Sequence, residues 1–78
     1  MVKVDIRINS IREVAELTGK ISTLPYEVDL KSGKYLVDGK SIMGAYSLDW
    51  EKPVTMEIHA EREQVSDFLA DIDKYICE

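Results

Sequence analysis

The apolar residues of this 78-residue chain are spaced in two ways, and the two kinds of segment follow one another along the sequence. A spacing of two, which is typical of a strand with one buried face, occurs three times. These alternating positions are Val2, Val4, Ile6 and Ile8, then Tyr26, Val28 and Leu30, and then Val54, Met56 and Ile58. A further short strand, Lys34 to Val37, is predicted to return from a tight turn at Ser32 and Gly33. We therefore expect four strands.

The remaining apolar residues have helical spacing. The first predicted helix has Ser10 as its N-cap and Glu13 as the second half of a capping box, and Pro25 ends it. Its apolar face is Ile11, Val14, Leu17 and Ile21. A short helix of about two turns is predicted to begin at Ser41. A long terminal helix is predicted from the apolar stripe Val65, Phe68, Leu69, Ile72 and Ile76.

The predicted order of elements is β-α-β-β-α-β-α, and neither a repeat nor a linker interrupts it. The length predicts a single domain, residues 1–78. Helices that lie together on one face of an antiparallel sheet bury such a pattern. We therefore expect the α+β class, with a four-stranded antiparallel sheet and three helices on one face.

Composition and charge argue against several classes of function. The net charge of −5 and the scattered basic residues are not typical of a nucleic-acid-binding protein. No apolar run approaches the roughly 20 residues of a membrane helix. Because Met1 leads directly into the first predicted strand, no signal peptide is expected, and the cytoplasm is the expected compartment.

The residue types that usually carry chemistry are isolated in this sequence. His59 falls on the polar side of the last predicted strand, and Cys77 is a lone thiol at the end of the terminal helix. Glu61, Glu63, Asp71 and Asp73 lie two residues apart in pairs, so their side chains do not share a helix face. The sequence therefore predicts neither a catalytic site, nor a metal site, nor a cofactor, and we do not expect an enzyme.

Residues 39 to 48 read Gly-Lys-Ser-Ile-Met-Gly-Ala-Tyr-Ser-Leu. This segment resembles the HPr family, the histidine-containing phosphocarrier proteins of the sugar phosphotransferase system, which carry Lys-Ser-Ile-Met-Gly followed by Ser-Leu. The order of elements over nearly the whole chain is similar too. The resemblance implies a single HPr-like domain with the open-faced β-sandwich of that family.

The second signature of the family is missing. HPr proteins have a Gly-Leu-His-Ala-Arg-Pro-Ala loop before the first helix, and its histidine accepts phosphate from enzyme I. Here the corresponding stretch is a shorter Arg-Ile-Asn-Ser-Ile-Arg, residues 7 to 12, so no residue inherits the role of the histidine or of the arginine. The resemblance therefore implies a non-catalytic relative rather than a phosphocarrier.

Ser41 matches the serine that is the regulatory phosphorylation site of HPr in Gram-positive bacteria. A phosphate at a helix N-cap is favoured by the helix dipole, and Lys40 adds a positive charge beside it. The other interpretation is that Ser41 is only a cap, which contributes about 1 kcal/mol. The sequence leaves both open.

The same helix carries a potential docking patch. In the HPr family, the positions that match Ile42, Met43 and Tyr46 are exposed and contact enzyme I, the kinase and a transcriptional regulator. Lys40 is expected to contribute to partner binding as well, and Trp50 is expected to be exposed and to extend the patch. The other interpretation is that some of these side chains complete the core. Two hypotheses follow: a regulatory protein that binds an HPr kinase or a transcriptional regulator, or an interaction module of unknown partner that keeps only the fold. The sequence leaves the oligomeric state open.

Overall fold

The computed structural model describes residues 1–77. Five strands and three α-helices lie in this part of the chain. In chain order they are β1 (Val2–Ile6), α1 (Ile11–Ile21), β2 (Val28–Ser32), β3 (Tyr35–Asp38), α2 (Ile42–Tyr46), β4 (Val54–Ile58), α3 (Ser66–Asp71) and β5 (Ile76–Cys77). Short 3-10 turns, Arg62–Val65 and Asp73–Tyr75, precede and follow α3.

The strands form one antiparallel sheet in the order β3-β2-β4-β1-β5. Its centre is the pairing of β4 with β1 on one side and with β2 on the other, in which Ile58 lies opposite both Val2 and Val28. A two-residue turn joins β2 to β3, because Ser32 lies opposite Tyr35. Gly33 is the first central residue of that turn and has φ 59°, a conformation that glycine adopts without strain.

The helices cover one face of the sheet and bury its apolar side chains. The strands supply Val2, Val4, Ile6, Val28, Leu30, Val54, Met56 and Ile58 to this core. The helices and their flanking turns supply Val14, Leu17, Ile21, Ala45, Val65, Phe68, Leu69, Ile72 and Tyr75. The alternate strand positions, such as Lys3, Asp5 and Lys31, lie on the opposite, polar face. The predicted α+β class and open-faced arrangement are therefore confirmed.

The C-terminal region differs from the prediction. The expected long helix ends at Asp71, and Ile76 lies in β5, where it pairs with Ile6 and makes the sheet five-stranded rather than four-stranded. Cys77 is accordingly a strand residue opposite Asp5, not a helix-end or tail thiol. The physical reason is the otherwise open edge of β1, whose backbone groups gain partners such as the 2.8 Å bond from Arg7 N–H to the Tyr75 carbonyl.

Helix α1 is attached to the C-terminal region by two polar contacts. Lys20 Nζ lies 2.9 Å from Asp71 Oδ2, and this hydrogen bond raises the pKa of Lys20. The Tyr75 hydroxyl donates to Glu16 Oε2 at 3.0 Å. Burial of Tyr75, followed by this hydrogen bond, raises the pKa of its phenol. The packing of α1 against the terminal segment therefore combines a buried apolar face with a polar rim.

Candidate protein-binding surface around helix α2

Ser41 starts helix α2 in the manner of an N-cap residue. Its backbone is extended, with φ −93° and ψ 112°, and its Oγ accepts a hydrogen bond from Gly44 N–H at 3.2 Å. Its carbonyl accepts from Ala45 N–H at 2.9 Å. The predicted capping role of Ser41 is therefore present. The side chain is half-buried.

Helix α2 has five residues, so the prediction of about two turns was too long. The helix ends at Tyr46 because Ser47 folds back onto it, with Ser47 Oγ donating to the Gly44 carbonyl at 2.6 Å. On its inner side, Ala45 is fully buried and Gly44 lies against β3. A Cβ atom on Gly44 would lie 3.2 Å from Val37 Cβ, which explains why this position suits glycine.

The outer side of α2 is apolar. The side chains of Ile42, Met43 and Tyr46 are 36%, 74% and 42% exposed, respectively. An exposed methionine beside an aromatic residue is typical of an adaptable contact surface. The alternative interpretation, in which these side chains complete the core, does not hold for Met43, although Ile42 and Tyr46 are partly covered.

Two residues predicted to join this patch have other contacts. Lys40 Nζ donates to the Leu24 carbonyl at 2.7 Å, so its ammonium connects the start of α2 to the segment after α1. Trp50 is half-buried rather than exposed, because its ring packs against the core and its Nε1–H donates to the Ala45 carbonyl at 2.8 Å. A buried indole N–H needs such an acceptor. Trp50 therefore packs between the end of α2 and the core and is hydrogen-bonded to that helix.

Ile11 of helix α1 lies near the exposed side of α2, at a cleft that Tyr46 also lines, although its spacing predicted a core position. It is the first residue of α1 and is 72% exposed. Thr18 is buried on the inner face of α1, where its hydroxyl donates to the Val14 carbonyl at 2.9 Å. Ile11 is three residues before Val14 and seven before Thr18, so its spacing places it on the same face of α1, and it is exposed because it stands at the first position of the helix.

A cleft of about 430 Å³ lies between the start of α1 and the end of α2. Ile11 and Tyr46 line it from the two helices, and Leu48 and Trp50 contribute to it from the following loop. The name α1–α2 surface is used below for Ile11, Ile42, Met43, Tyr46 and Trp50. Four of its five side chains, all but Trp50, are exposed large apolar side chains.

The N-terminus of α1 is capped by side chains of the same segment. Glu13 N–H donates to Ser10 Oγ at 3.3 Å, and Glu13 Oε1 accepts from Asn9 N–H at 3.2 Å. The capping box was therefore predicted correctly, except that the carboxylate reaches the residue before the cap. No histidine lies in this loop.

His59 lies just after β4, on the polar face of the sheet. Its Nε2 is 2.9 Å from Asp29 Oδ2, and its backbone N–H donates to the Glu27 carbonyl. Asp29 alternates with the buried Val28 and Leu30, so this pair lies on the face away from the helices. His59 and the α1–α2 surface are therefore on different sides of the sheet.

No cluster of three potential metal ligands occurs in the part of the chain that the structure describes. Within the same residues, no helix is long and apolar enough to cross a membrane.

Comparison with known proteins identifies the fold. No protein-family model and no curated protein matches the sequence. Among solved structures, HPr-C-His from Thermoanaerobacter tengcongensis has a TM-score of 0.70 and 21% identity, over 94% of this chain and 90% of that one. Crh, the catabolite repression protein of Bacillus subtilis, has a TM-score of 0.63 and 23% identity, over 100% of this chain and 93% of its own. The structure of Crh is an intertwined dimer with a swapped domain.

The chain thus has the HPr-like fold, as the resemblance of its Lys-Ser-Ile-Met-Gly segment implied. The two similar structures are those of an HPr and of a catabolite repression protein.

Proposed function

We propose that this protein is a non-catalytic, HPr-like regulatory protein that acts by binding other proteins through its α1–α2 surface, with Ser41 as its regulatory phosphorylation site. The observation that carries the proposal is the combination of an exposed apolar surface on α2 with a serine at the start of the same helix. A modification at Ser41 is thereby adjacent to the side chains that contact a partner.

The electrostatics at the start of α2 support phosphorylation. The first turn of α2 contains no acidic residue, and the carboxylate that precedes it, that of Asp38, already accepts from Lys40 N–H. The phosphate oxygens can replace Ser41 Oγ as acceptors for the first backbone N–H groups of the helix, which already point toward this position. In the reaction, Ser41 Oγ gives up its proton and takes the terminal phosphoryl group of ATP, and ADP leaves.

A phosphocarrier function is not favoured. The β1–α1 loop has no histidine, and the Glu13 carboxylate already places a negative charge beside the start of α1, where it accepts from Asn9 N–H. The single histidine of the chain, His59, pairs with Asp29 on the other face of the sheet. We therefore propose protein partners of the kind that recognise HPr-like proteins, an HPr kinase or a transcriptional regulator, and neither a nucleic acid nor a cofactor.

The kinase reaction tests the Ser41 proposal. Incubation with an HPr kinase and ATP should add one phosphate, located on Ser41 by mass spectrometry of peptides. Ser41→Ala should abolish this label, whereas Ser10→Ala, which removes the other helix-capping serine, should leave it unchanged. Absence of label on the unmodified chain would contradict the regulatory version of the proposal.

A second reaction tests the non-catalytic part. Incubation with enzyme I and phosphoenolpyruvate should leave the protein unlabelled, with an HPr as the positive control. Label on His59 would overturn the proposal, and His59→Gln would identify it.

The alternative is a structural or interaction module of unknown partner that keeps only the HPr-like fold. The altered β1–α1 loop favours it, because Ile11 adds an apolar contact where the family has its histidine loop. In that case, Met43→Lys would weaken binding to the partner, while Ser41 would remain unlabelled by the kinase.

A further inference from the structure

Strand β3 is an open edge of the sheet. It occupies the first position in the order β3-β2-β4-β1-β5 and, within residues 1–77, pairs only with β2. The hydrogen bond from Gly39 N–H to the Val28 carbonyl, 2.7 Å long, fixes which residues of β3 face β2. In the same register, Val37 and Tyr35 face β2, so the N–H and C=O groups of Leu36 point away from the sheet.

The side chains along this edge are apolar at its centre. Tyr35 is 72% exposed and Leu36 is 60% exposed, and they point to opposite faces of the strand. A free edge with exposed apolar residues is a template for another strand. Lys34 precedes β3 and Asp38 ends it, so the apolar centre lies between a positive and a negative residue.

We propose that β3 pairs with β3 of a second copy of this chain, antiparallel and about a two-fold axis at Leu36. The sequence of the edge is complementary to itself in this register. Leu36 faces Leu36 of the second copy and Tyr35 faces Val37, and the side chain of Lys34, the turn residue directly before β3, lies next to Asp38. Aromatic with β-branched residues and opposite charges are the favourable cross-strand pairs. The result is a continuous sheet that runs through both copies.

The charges select this register among those that the backbone allows. Only pairings that match outward-facing residues with each other form hydrogen bonds, so the register can shift by steps of two. A shift toward the C-terminus places Lys34 opposite Lys40 and leaves Asp38 opposite Leu36. A shift toward the N-terminus places Lys34 opposite Leu36. The central register alone gives each Lys34 an opposite charge.

Asp38 can serve both its own chain and the second copy. Its Oδ1 accepts from Lys40 N–H at 2.9 Å within the turn that follows β3, and the other carboxylate oxygen remains for Lys34 of the second copy. Because the edge is only four residues long, the dimer is weak and reversible. It does not use the side chains of the α1–α2 surface, so it is independent of the proposed function.

Charge exchange tests the pairing. We expect sedimentation equilibrium to show concentration-dependent dimers of the unmodified chain. K34D places two acidic residues opposite each other, and D38K places two lysines opposite each other, so each variant alone should dimerise about tenfold more weakly. An equimolar mixture of K34D and D38K should form heterodimers, because each then meets its opposite charge. K52D, which makes the same charge change at an exposed loop position, is the control and should dimerise like the unmodified chain.

A second measurement locates the contact. Amide hydrogen exchange at Leu36 should slow as protein concentration rises, whereas Tyr35 and Val37 amides, which already face β2, should change little. A chain that remains monomeric at every concentration overturns the proposal. So does a dimer that K34D and D38K leave intact, or a mixture of the two variants that stays monomeric while circular dichroism shows both to be folded.

Discussion

Helices α1 and α2 begin with the same chemistry and differ in what surrounds it. Ser10 and Ser41 both have extended backbones, and each Oγ accepts from the N–H three residues later, at 3.3 Å and 3.2 Å. In α1, the Glu13 carboxylate lies in the first turn and accepts from Asn9 N–H at 3.2 Å. In α2, the first turn has no acid. A shared cap therefore does not make two helix starts equivalent, because only α1 has an acidic residue within its first turn.

The two helices also differ in how they are held. Helix α1 has eleven residues, buries four of them and is joined to the terminal segment through Lys20 and Glu16. Helix α2 has five residues, of which only Ala45 is buried. The first helix is therefore part of the framework, whereas the second presents side chains outward.

The largest effect is expected where the charge at the start of α1 is reversed. Glu13→Lys removes the acceptor of the Asn9 N–H and puts a cation at the positive end of the helix. We expect the free energy of unfolding to fall by about 1–2 kcal/mol. Urea denaturation measures it. Glu51→Lys, on an exposed loop, is the matched control and should change it by less than about 0.5 kcal/mol. An equal loss in both variants would mean that the Glu13 contact has no special role.

Removal of either cap should have a smaller and similar effect on stability. Ser10→Ala and Ser41→Ala each leave one backbone N–H without its side-chain acceptor, at a cost of about 1 kcal/mol. Thermal and chemical denaturation of the two variants would measure this. A loss confined to Ser10→Ala would show that the cap on α2 contributes nothing to folding.

The glycines of the two helices should respond to alanine in different ways. A Cβ on Gly19 of α1 meets no atom within 4 Å, so Gly19→Ala should raise the free energy of unfolding by roughly 0.5–1 kcal/mol through helix propensity. A Cβ on Gly44 of α2 lies 3.2 Å from Val37, which must move to make room. Gly44→Ala should therefore give no gain. Stabilisation of both variants by the same amount would contradict the close approach of α2 to β3.

The smallest effect near neutral pH concerns the polar contacts of α1. Tyr75 and Lys20 hold their protons more tightly in the folded than in the unfolded chain, because both pKa values are raised above their ordinary 10.0 and 10.5. Their contribution to stability is therefore complete below about pH 10 and is lost as the pH rises through the folded pKa values. Denaturation at a series of alkaline pH values should show this fall, and Tyr75→Phe should reduce its slope. An unchanged slope would exclude the phenol as a cause.

The sequence predicted the elements whose signal is local. Strands β1, β2 and β4 alternate along their length, and Ser10 and Ser41 are recognisable as caps without any tertiary information. Strand β5 has two residues, which is too short for a period, and it forms only because β1 has an open edge beside it. Ile76 also continued the helical spacing of the terminal segment, so the local pattern pointed to the wrong element.

The candidate surface was predictable in its centre and not at its margins. Met43 and Tyr46 are exposed as the resemblance implied. The side chains of Lys40 and Trp50 are oriented by hydrogen bonds to the backbone carbonyls of Leu24 and Ala45, respectively. The positions of these carbonyls could not be predicted from the sequence. The spacing of Ile11 predicts a core position, but Ile11 is the first residue of α1 and is exposed there, because spacing alone does not say how far the core extends along a helix.

The contact between Trp50 and Ala45 gives the molecule a built-in optical reporter. Trp50 is the only tryptophan of the chain, so all indole emission comes from a ring that rests on the last turn of α2. Fluorescence excited at a wavelength that indole absorbs and tyrosine does not therefore reports only on the surroundings of Trp50. A change in the helix, whether from a bound molecule or a group added at its first residue, alters the surroundings of that ring. The occupancy of this surface can thus be followed in real time without attaching a dye.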